Sequence, residues 1–344
     1  MRILHLAPLW FPVARDSPGG IETFLAALLD ALETAGWRNA LLASGDSRSR
    51  AELLPAVPDS VCARMAEGSA LEYAYYEQQQ LLLALEHGRA FDLVHSHVGP
   101  HAFVLSGVPG SRVLHTWHGQ VYRDLEWLVA HRPDLDIVTV SEFQAVRLRR
   151  HGARRCHVIG NGVDLDDFPF AAGGGDALLF IGRMESGKGP DLAVQVARSL
   201  GRPLVLAGPV VDADFFRQRV EPFLGPTIRY VGVVDHRQKV ALFAGASCAL
   251  LPFRGEEAFG MVTIEAMACG TPVVALANGA LPEIVEPGLT GFLTDEETEL
   301  PDLVERAAKL DRAVVRSRMA ARFAIGVVAR RYRQLYAELV TGPA

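Results

Sequence analysis

The sequence predicts an α/β protein of two consecutive Rossmann-like domains, each a parallel sheet covered by helices, facing a central cleft. Three observations lead there. The chain has 344 residues, too many for one ordinary core. Short continuous apolar runs alternate with helical stretches in both halves, the pattern of strands buried on both faces. The loop-like stretch DLDDFPFAAGGGDA (164–177), with Pro169 and three glycines, separates the halves.

The elements follow in order. The opening MRILHLAPLWFP is basic and then apolar, like a signal peptide. Pro8 and Pro12 interrupt it and no small-residue cleavage site follows, so RILHLAP reads as a buried first strand. IETFLAALLDALETAG then places Ile21, Phe24, Leu25, Leu28, Leu29 and Leu32 on one helical face, and Gly36 ends it. Further strands are NALLAS, DLVHSHV, RVLHTWH, DIVTVS and CHVIGNGV. Past the linker come ALLFIGR, a helix over 190–200, RPLVLAGP, TIRYVGVV, CALLPF, a helix after FGMV, and TPVVALA. VVARRYRQLYAELV is a closing helix. The expected domains are 1–168 and 169–325, with 326–344 as the final helix.

Composition narrows the class. With 49% hydrophobic and 22% charged residues the chain is an ordinary globular protein. A net charge of −6 argues against nucleic-acid binding. Cys62, Cys156, Cys248 and Cys269 form no C-x-x-C pair, which argues against a disulfide framework or zinc ribbon and favours a cytoplasmic protein. No apolar run approaches the roughly 20 residues that span a bilayer. The basic run AVRLRRHGARR (145–155) reads mainly as a solvated helix face. It leaves a weak peripheral contact, at the inner face of a membrane, as a secondary expectation.

Two motifs carry chemistry. GRMESGKG (182–189) is one residue short of a phosphate-binding P-loop, because Gly189 stands where Ser or Thr would hold magnesium. Arg183 and Lys188 nevertheless follow a strand on a glycine-rich turn before a helix, where two cations can neutralise a diphosphate. GEEAFGMVTIEAMACGTPVVA (255–275) is the second. Backbone N–H groups at Phe259, Gly260 and Met261 open a helix and suit a phosphate or sugar hydroxyl. Glu257 in the loop can reach sugar hydroxyls, and Glu265 in the apolar run TIEAMA can accept from a ribose diol.

IGRMESGKGPDL followed by this E-x7-E pair resembles the signature of retaining glycosyltransferases of the GT-B type, the group 1 or family 4 (GT4) class. SPGGIETF, DLVHSHV, HTWHG, VSEF, VIGNGVDLDDF, LAGP, YVGVV and EAMACGTPVVALANGALPEIVEPGLTGFL extend the resemblance along most of the chain. The resemblance implies a nucleotide-sugar donor, a UDP- or GDP-sugar first, with no cofactor and no metal. It places Arg183 and Lys188 on the donor diphosphate and Glu265 on its ribose. Glu257, with backbone at Phe259, Gly260, Met261 and Val262, would hold the transferred sugar. Gly19 and Gly20 would close over the phosphates and the acceptor, and Glu22 would lie on the acceptor side. His118 would stand beside the sugar, and Val233 and Val234 beside the base. His118, Arg183, Lys188 and Glu257 are thus the expected catalytic set. The acceptor would be a glycan, a lipid-linked glycan or a small natural product.

Other readings compete. His95, His97 and His101 in HSHVGPH, with His115 and His118, could be metal ligands, but no second-shell carboxylate is identifiable. They read as strand-end residues on the acceptor side, with His95, His115 and His157 structural. DLD at 134–136, DLD at 164–166 and DAD at 212–214 read as turns and helix starts, not metal-diphosphate sites. A nucleotide-sugar epimerase or another enzyme of this architecture, and a non-catalytic nucleotide-sugar-binding protein, are the alternative functions.

Overall fold

The apolar runs become two parallel sheets in the computed structural model, which describes residues 1–108, 110 and 112–341. The chain divides into two units. The first comprises Met1–Gly162 with the C-terminal helix Ile325–Thr341, and the second comprises Val163–Ala324.

The first unit holds seven strands: β1 (Arg2–Leu6), β2 (Arg38–Ser44), β3 (Glu52–Val57), β4 (Leu93–Ser96), β5 (Val113–Trp117), β6 (Asp136–Thr139) and β7 (Arg155–Val158). Their spatial order is β3-β2-β1-β4-β5-β6-β7. The second unit holds β8 (Leu178–Ile181), β9 (Leu204–Ala207), β10 (Ile228–Tyr230), β11 (Cys248–Leu251), β12 (Val273–Leu276) and β13 (Gly291–Thr294). These are ordered β10-β9-β8-β11-β12-β13. Both sheets reverse direction of build once, between β1 and β4 and between β8 and β11. In such sheets ligands bind beyond the carboxyl ends of the strands at that reversal.

β3 and β13 were not among the expected strands. ELLPAV contains Pro55, which a central strand would not tolerate, but β3 is an outer strand. β13 is four residues beginning with glycine, too short and too weak in pattern to signal itself. Gly291 is required there, because a Cβ would run into the backbone of Val273 on β12.

The stretch 164–177, expected as a linker, packs along the second unit. Phe168 is buried, Ala171 N–H donates to the Cys269 carbonyl (3.1 Å) and Gly175 N–H to the Gly245 carbonyl (2.8 Å). A Cβ at Gly174 would collide with the carbonyl of Ala246, so this glycine serves close backbone packing. No helix among the described residues is long and apolar enough to cross a membrane.

In the first unit the helix Ile325–Thr341 lies against the helix Gly20–Thr34. Tyr332 and Tyr336 are its fully buried residues, and both hydroxyls find partners under it. Tyr336 OH lies 2.7 Å from His95 Nδ1. Tyr332 OH lies 3.2 Å from Thr116 Oγ1, which lies 2.7 Å from His95 Nε2. Tyr336→Phe should lower stability by about 1–3 kcal/mol, because His95 keeps its burial and loses its partner. Urea unfolding measures this, and an unchanged midpoint would show that the hydroxyl contributes nothing.

Candidate active site

The second unit gathers most of the expected residues at the reversal of its sheet. β8 ends at Ile181 and leads into Arg183 and a tight turn over Ser186–Lys188. β11 ends at Leu251 and leads through Glu257 to the helix Met261–Ala268. The two segments touch. Arg254 N–H and Gly255 N–H both donate to the Gly187 carbonyl (2.9 Å each). Gly189 has φ +68, and a Cβ there would strike the carbonyl of Pro252. The residue that spoils the P-loop pattern is therefore demanded by local backbone geometry.

That contact brings Lys188 and Glu257 together. Their side chains form an ion pair, four-fifths or more buried, and Lys188 Nζ also stands 4.4 Å from the centre of the Phe253 ring. Arg183 is exposed and pairs with Glu185 (2.8 Å). Gly260 caps the helix Met261–Ala268 with φ +91 and has no side chain to cover its N–H groups. Met261 and Val262 form the half-buried first turn, whereas the Phe259 ring is core, edge-on to Phe323. Only the backbone of Phe259 is thus available to a ligand. Glu265 is buried deeper in the same helix, where Lys239 reaches it (Nζ to Oε1, 2.8 Å). Val233 is exposed and Val234 half-buried beyond β10, the outer strand, whereas the Lys188–Glu257 pair follows β8 and β11.

Three participants escaped the sequence reading. Lys239 sits in HRQKVALF, an unremarkable helical stretch. Asn278 donates its amide to the Phe253 carbonyl (2.8 Å), and Ala280 N–H donates to the Glu257 carbonyl (2.9 Å). Between them Gly279, at φ +62, leaves no room for a Cβ against the Glu257 backbone. The Asn-Gly dipeptide is a turn signal that could have located this cradle.

The first unit carries a different cluster. Gly19 caps the helix Gly20–Thr34, and the Glu22 carboxylate occupies the space a Cβ on Gly19 would take. Burial pushes the Glu22 carboxyl up to about 7, against backbone N–H groups of Glu22 and Phe11 that favour its anion. His118 Nε2 lies 3.0 Å from His97 Nδ1. His5 on β1, overlooked in the sequence, donates from Nε2 to Asn39 Oδ1 (3.1 Å), since the Asn39 amide nitrogen faces Glu33. One nitrogen each of His5, His95 and His97 lie within 4.8 Å of one another. A tetrahedral zinc site needs ligand atoms about 3.3 Å apart, and His95 already spends both nitrogens on hydroxyl groups. His115 bonds Ser106 (2.8 Å), and His101 is exposed beside Glu77 (3.1 Å).

The remaining candidates are local. Asp212 caps the helix Ala213–Arg219 and Asp164 forms a turn, but Asp136 begins β6 rather than a turn or helix. In the basic run Arg147, Arg149 and Arg155 pair with Glu126, Glu142 and Asp136.

Comparison with known proteins bears on the family and the fold. The family described as Glycosyl transferases group 1 matches residues 149–322, and that described as Glycosyltransferase Family 4 matches residues 18–167. D-inositol 3-phosphate glycosyltransferase of Mycobacterium tuberculosis (strain ATCC 25618 / H37Rv) is 30% identical over 284 residues, 68% of this chain and 58% of that protein. The match thus spans less than two thirds of that relative. AviGT4, a glycosyltransferase involved in avilamycin A biosynthesis, superposes with a TM-score of 0.77 at 24% identity, covering 100% of this chain and 99% of its own. HepE of Anabaena, in complex with UDP and glucose, gives 0.73 at 17% identity, covering 98% of this chain and 100% of its own. At these identities the likeness is one of fold, the GT-B arrangement of two Rossmann-like domains.

Two outcomes follow from the site geometry. Gly189→Ser completes the P-loop pattern on paper, yet it forces a side chain into the left-handed region and against Pro252. It should cost at least about 1–2 kcal/mol and create no magnesium-dependent ATPase activity, and gain of such activity would overturn the reading. The second concerns acid. Burial holds His5 down to about 4, His115 and His118 to about 3, and His95 and His97 well below their ordinary 6.5. Below pH 6.5 the unfolded chain takes up protons that the folded chain refuses. Stability should therefore fall from pH 6.5 toward 4, by up to about 1.4 kcal/mol per pH unit per ring. Glu22 acts oppositely, its contribution being full below its ordinary 4.5 and lost as pH rises to about 7, but five rings outweigh it. Urea midpoints at pH 7 and pH 5 test this, and equal midpoints would contradict it.

Proposed function

This chain belongs to the group 1 glycosyl transferases, and from that premise we propose that it moves a sugar from a nucleoside-diphosphate sugar to a hydroxyl group. The observation that carries the reading is the Lys188–Glu257 pair, set at the carboxyl ends of β8 and β11 where the sheet order reverses. A cation and a carboxylate so placed can address a diphosphate and the hydroxyls of the sugar joined to it. Arg183 and the uncovered N–H groups after Gly260 add positive potential.

Transfer then runs with retention. As the anomeric C–O bond to phosphate breaks, Arg183, Lys188 and the helix start stabilise charge on the departing diphosphate. Glu257 holds the sugar while it gains oxocarbenium character. The acceptor hydroxyl attacks from the side the phosphate leaves, its oxygen bonds the anomeric carbon, and its proton passes to the phosphate. The two cations take the part a metal ion would otherwise play. HepE binds UDP and glucose, which makes UDP-sugars the first donors to try and GDP-sugars the second. The first unit, with Gly19, Gly20, Glu22 and His118, is the proposed acceptor side, and a glycan, lipid-linked glycan or natural product is the proposed acceptor.

A thermal-shift panel of UDP-, GDP-, ADP- and dTDP-sugars selects the donor, since a ligand of the folded state raises the midpoint by mass action. With that donor, Glu257→Ala should lower kcat by about 100-fold or more. Nucleoside-diphosphate affinity should hold or improve, because Lys188 is released from its carboxylate. A loss of affinity matching the loss of rate would remove Glu257 from the sugar.

A further inference from the structure

We propose that Lys239 is a positioning residue that holds Glu265 oriented for the donor ribose, and so enforces a preference for ribonucleotides over 2′-deoxyribonucleotides. This rests on the reading of Glu265 as the ribose ligand given above.

Glu265 is an awkward place for a charge. Its side chain is 4% exposed, and Ile264, Ala266, Met267 and Ala268 beside it are all buried. A polar group buried in such surroundings needs a partner. Lys239 supplies one from the helix His236–Gly245, with Nζ 2.8 Å from Oε1. The ammonium also faces the Phe168 ring at 5.7 Å, within the range of a cation–π contact.

Lys239 is itself held in place. Its helix starts with a capping box, in which Asp235 accepts from Gln238 N–H and Gln238 accepts from Asp235 N–H. His236 bonds the Asp167 carbonyl (3.0 Å) and meets the Phe168 ring edge-on at 5.1 Å. The segment 167–168, the lysine helix and the glutamate helix thus form one chain of contacts. Within it Lys239 takes Oε1, while Oε2 accepts no hydrogen bond from a described residue. A carboxylate offers about four acceptor positions. Those that remain suit a vicinal diol, which donates two hydrogen bonds, and they suit a 2′-deoxyribose less well.

The test compares binding of UDP and 2′-deoxy-UDP by calorimetry, or the matching pair for whichever base the thermal panel selects. The wild-type protein should prefer the ribonucleotide by about tenfold to a hundredfold, as for one hydrogen bond to a charged group. Lys239→Met should shrink that preference to within about threefold and raise KM for the donor more than it lowers kcat. Lys239→Arg should keep the preference. If Lys239→Met does not fold, Lys239→Ala, which likewise removes both charge and donor, is read in the same way. A lysine that merely supports the fold would lower the melting point and weaken both nucleotides equally, and a preserved ratio in the Met or Ala variant overturns the proposal. A wild-type protein without any preference would instead remove Glu265 from the ribose, and with it the reading on which the proposal stands.

Discussion

The candidate site depends on one close approach of backbone to backbone. The turn after β8 and the segment after β11 lie in contact, with Gly189 against the Pro252 carbonyl and the Gly187 carbonyl accepting two N–H groups. The only regular structure in these two segments among the described residues is the single turn Ser186–Lys188. Their mutual support sets where Lys188 and Glu257 stand, and the Asn278–Ala280 cradle fixes Glu257 from the other side. Side chains larger than hydrogen at 189 and 279 are excluded by the same contacts.

Charge is handled in opposite ways by the two units. In the second unit the cations Arg183, Lys188, Lys239 and Arg254 are each matched to a carboxylate. An arriving dianion need not find naked charge, since it exchanges with carboxylates already there. In the first unit burial disfavours the charged form of the clustered His95 and His97, whose contacts with Tyr336 and His118 are hydrogen bonds, while that unit's ion pairs, such as Arg147–Glu126, lie elsewhere. On the proposed reading the second unit receives the donor diphosphate and the first the hydroxyl-bearing acceptor.

Much of the fold is legible in the sequence. Continuous apolar runs located eleven of the thirteen strands among the described residues, because strands covered on both faces leave that trace. The two that escaped are an outer strand with a proline and a four-residue strand led by glycine. Arg183, Lys188, Glu257 and Glu265 stood out because charges beside glycine-rich turns or inside apolar runs are conspicuous. Lys239, His5, Tyr332 and Tyr336 did not, since each matters through a partner far along the chain. Lys239 meets Glu265 across 26 positions, and His95 meets Tyr336 across 241. Sequence periodicity reports which face a residue turns inward, but not which residue waits there.

The second of those separations bears on how the molecule is made. The second unit is a single stretch, whereas the first is completed only by the helix Ile325–Thr341. During synthesis the ribosome releases all of 163–324 before that helix exists. The first unit must wait through that interval with His95 and Thr116 lacking their tyrosines and the surface of the helix Gly20–Thr34 uncovered. The domain begun first is therefore finished last, and a nascent chain stalled before residue 325 would carry a complete second unit and an incomplete first one.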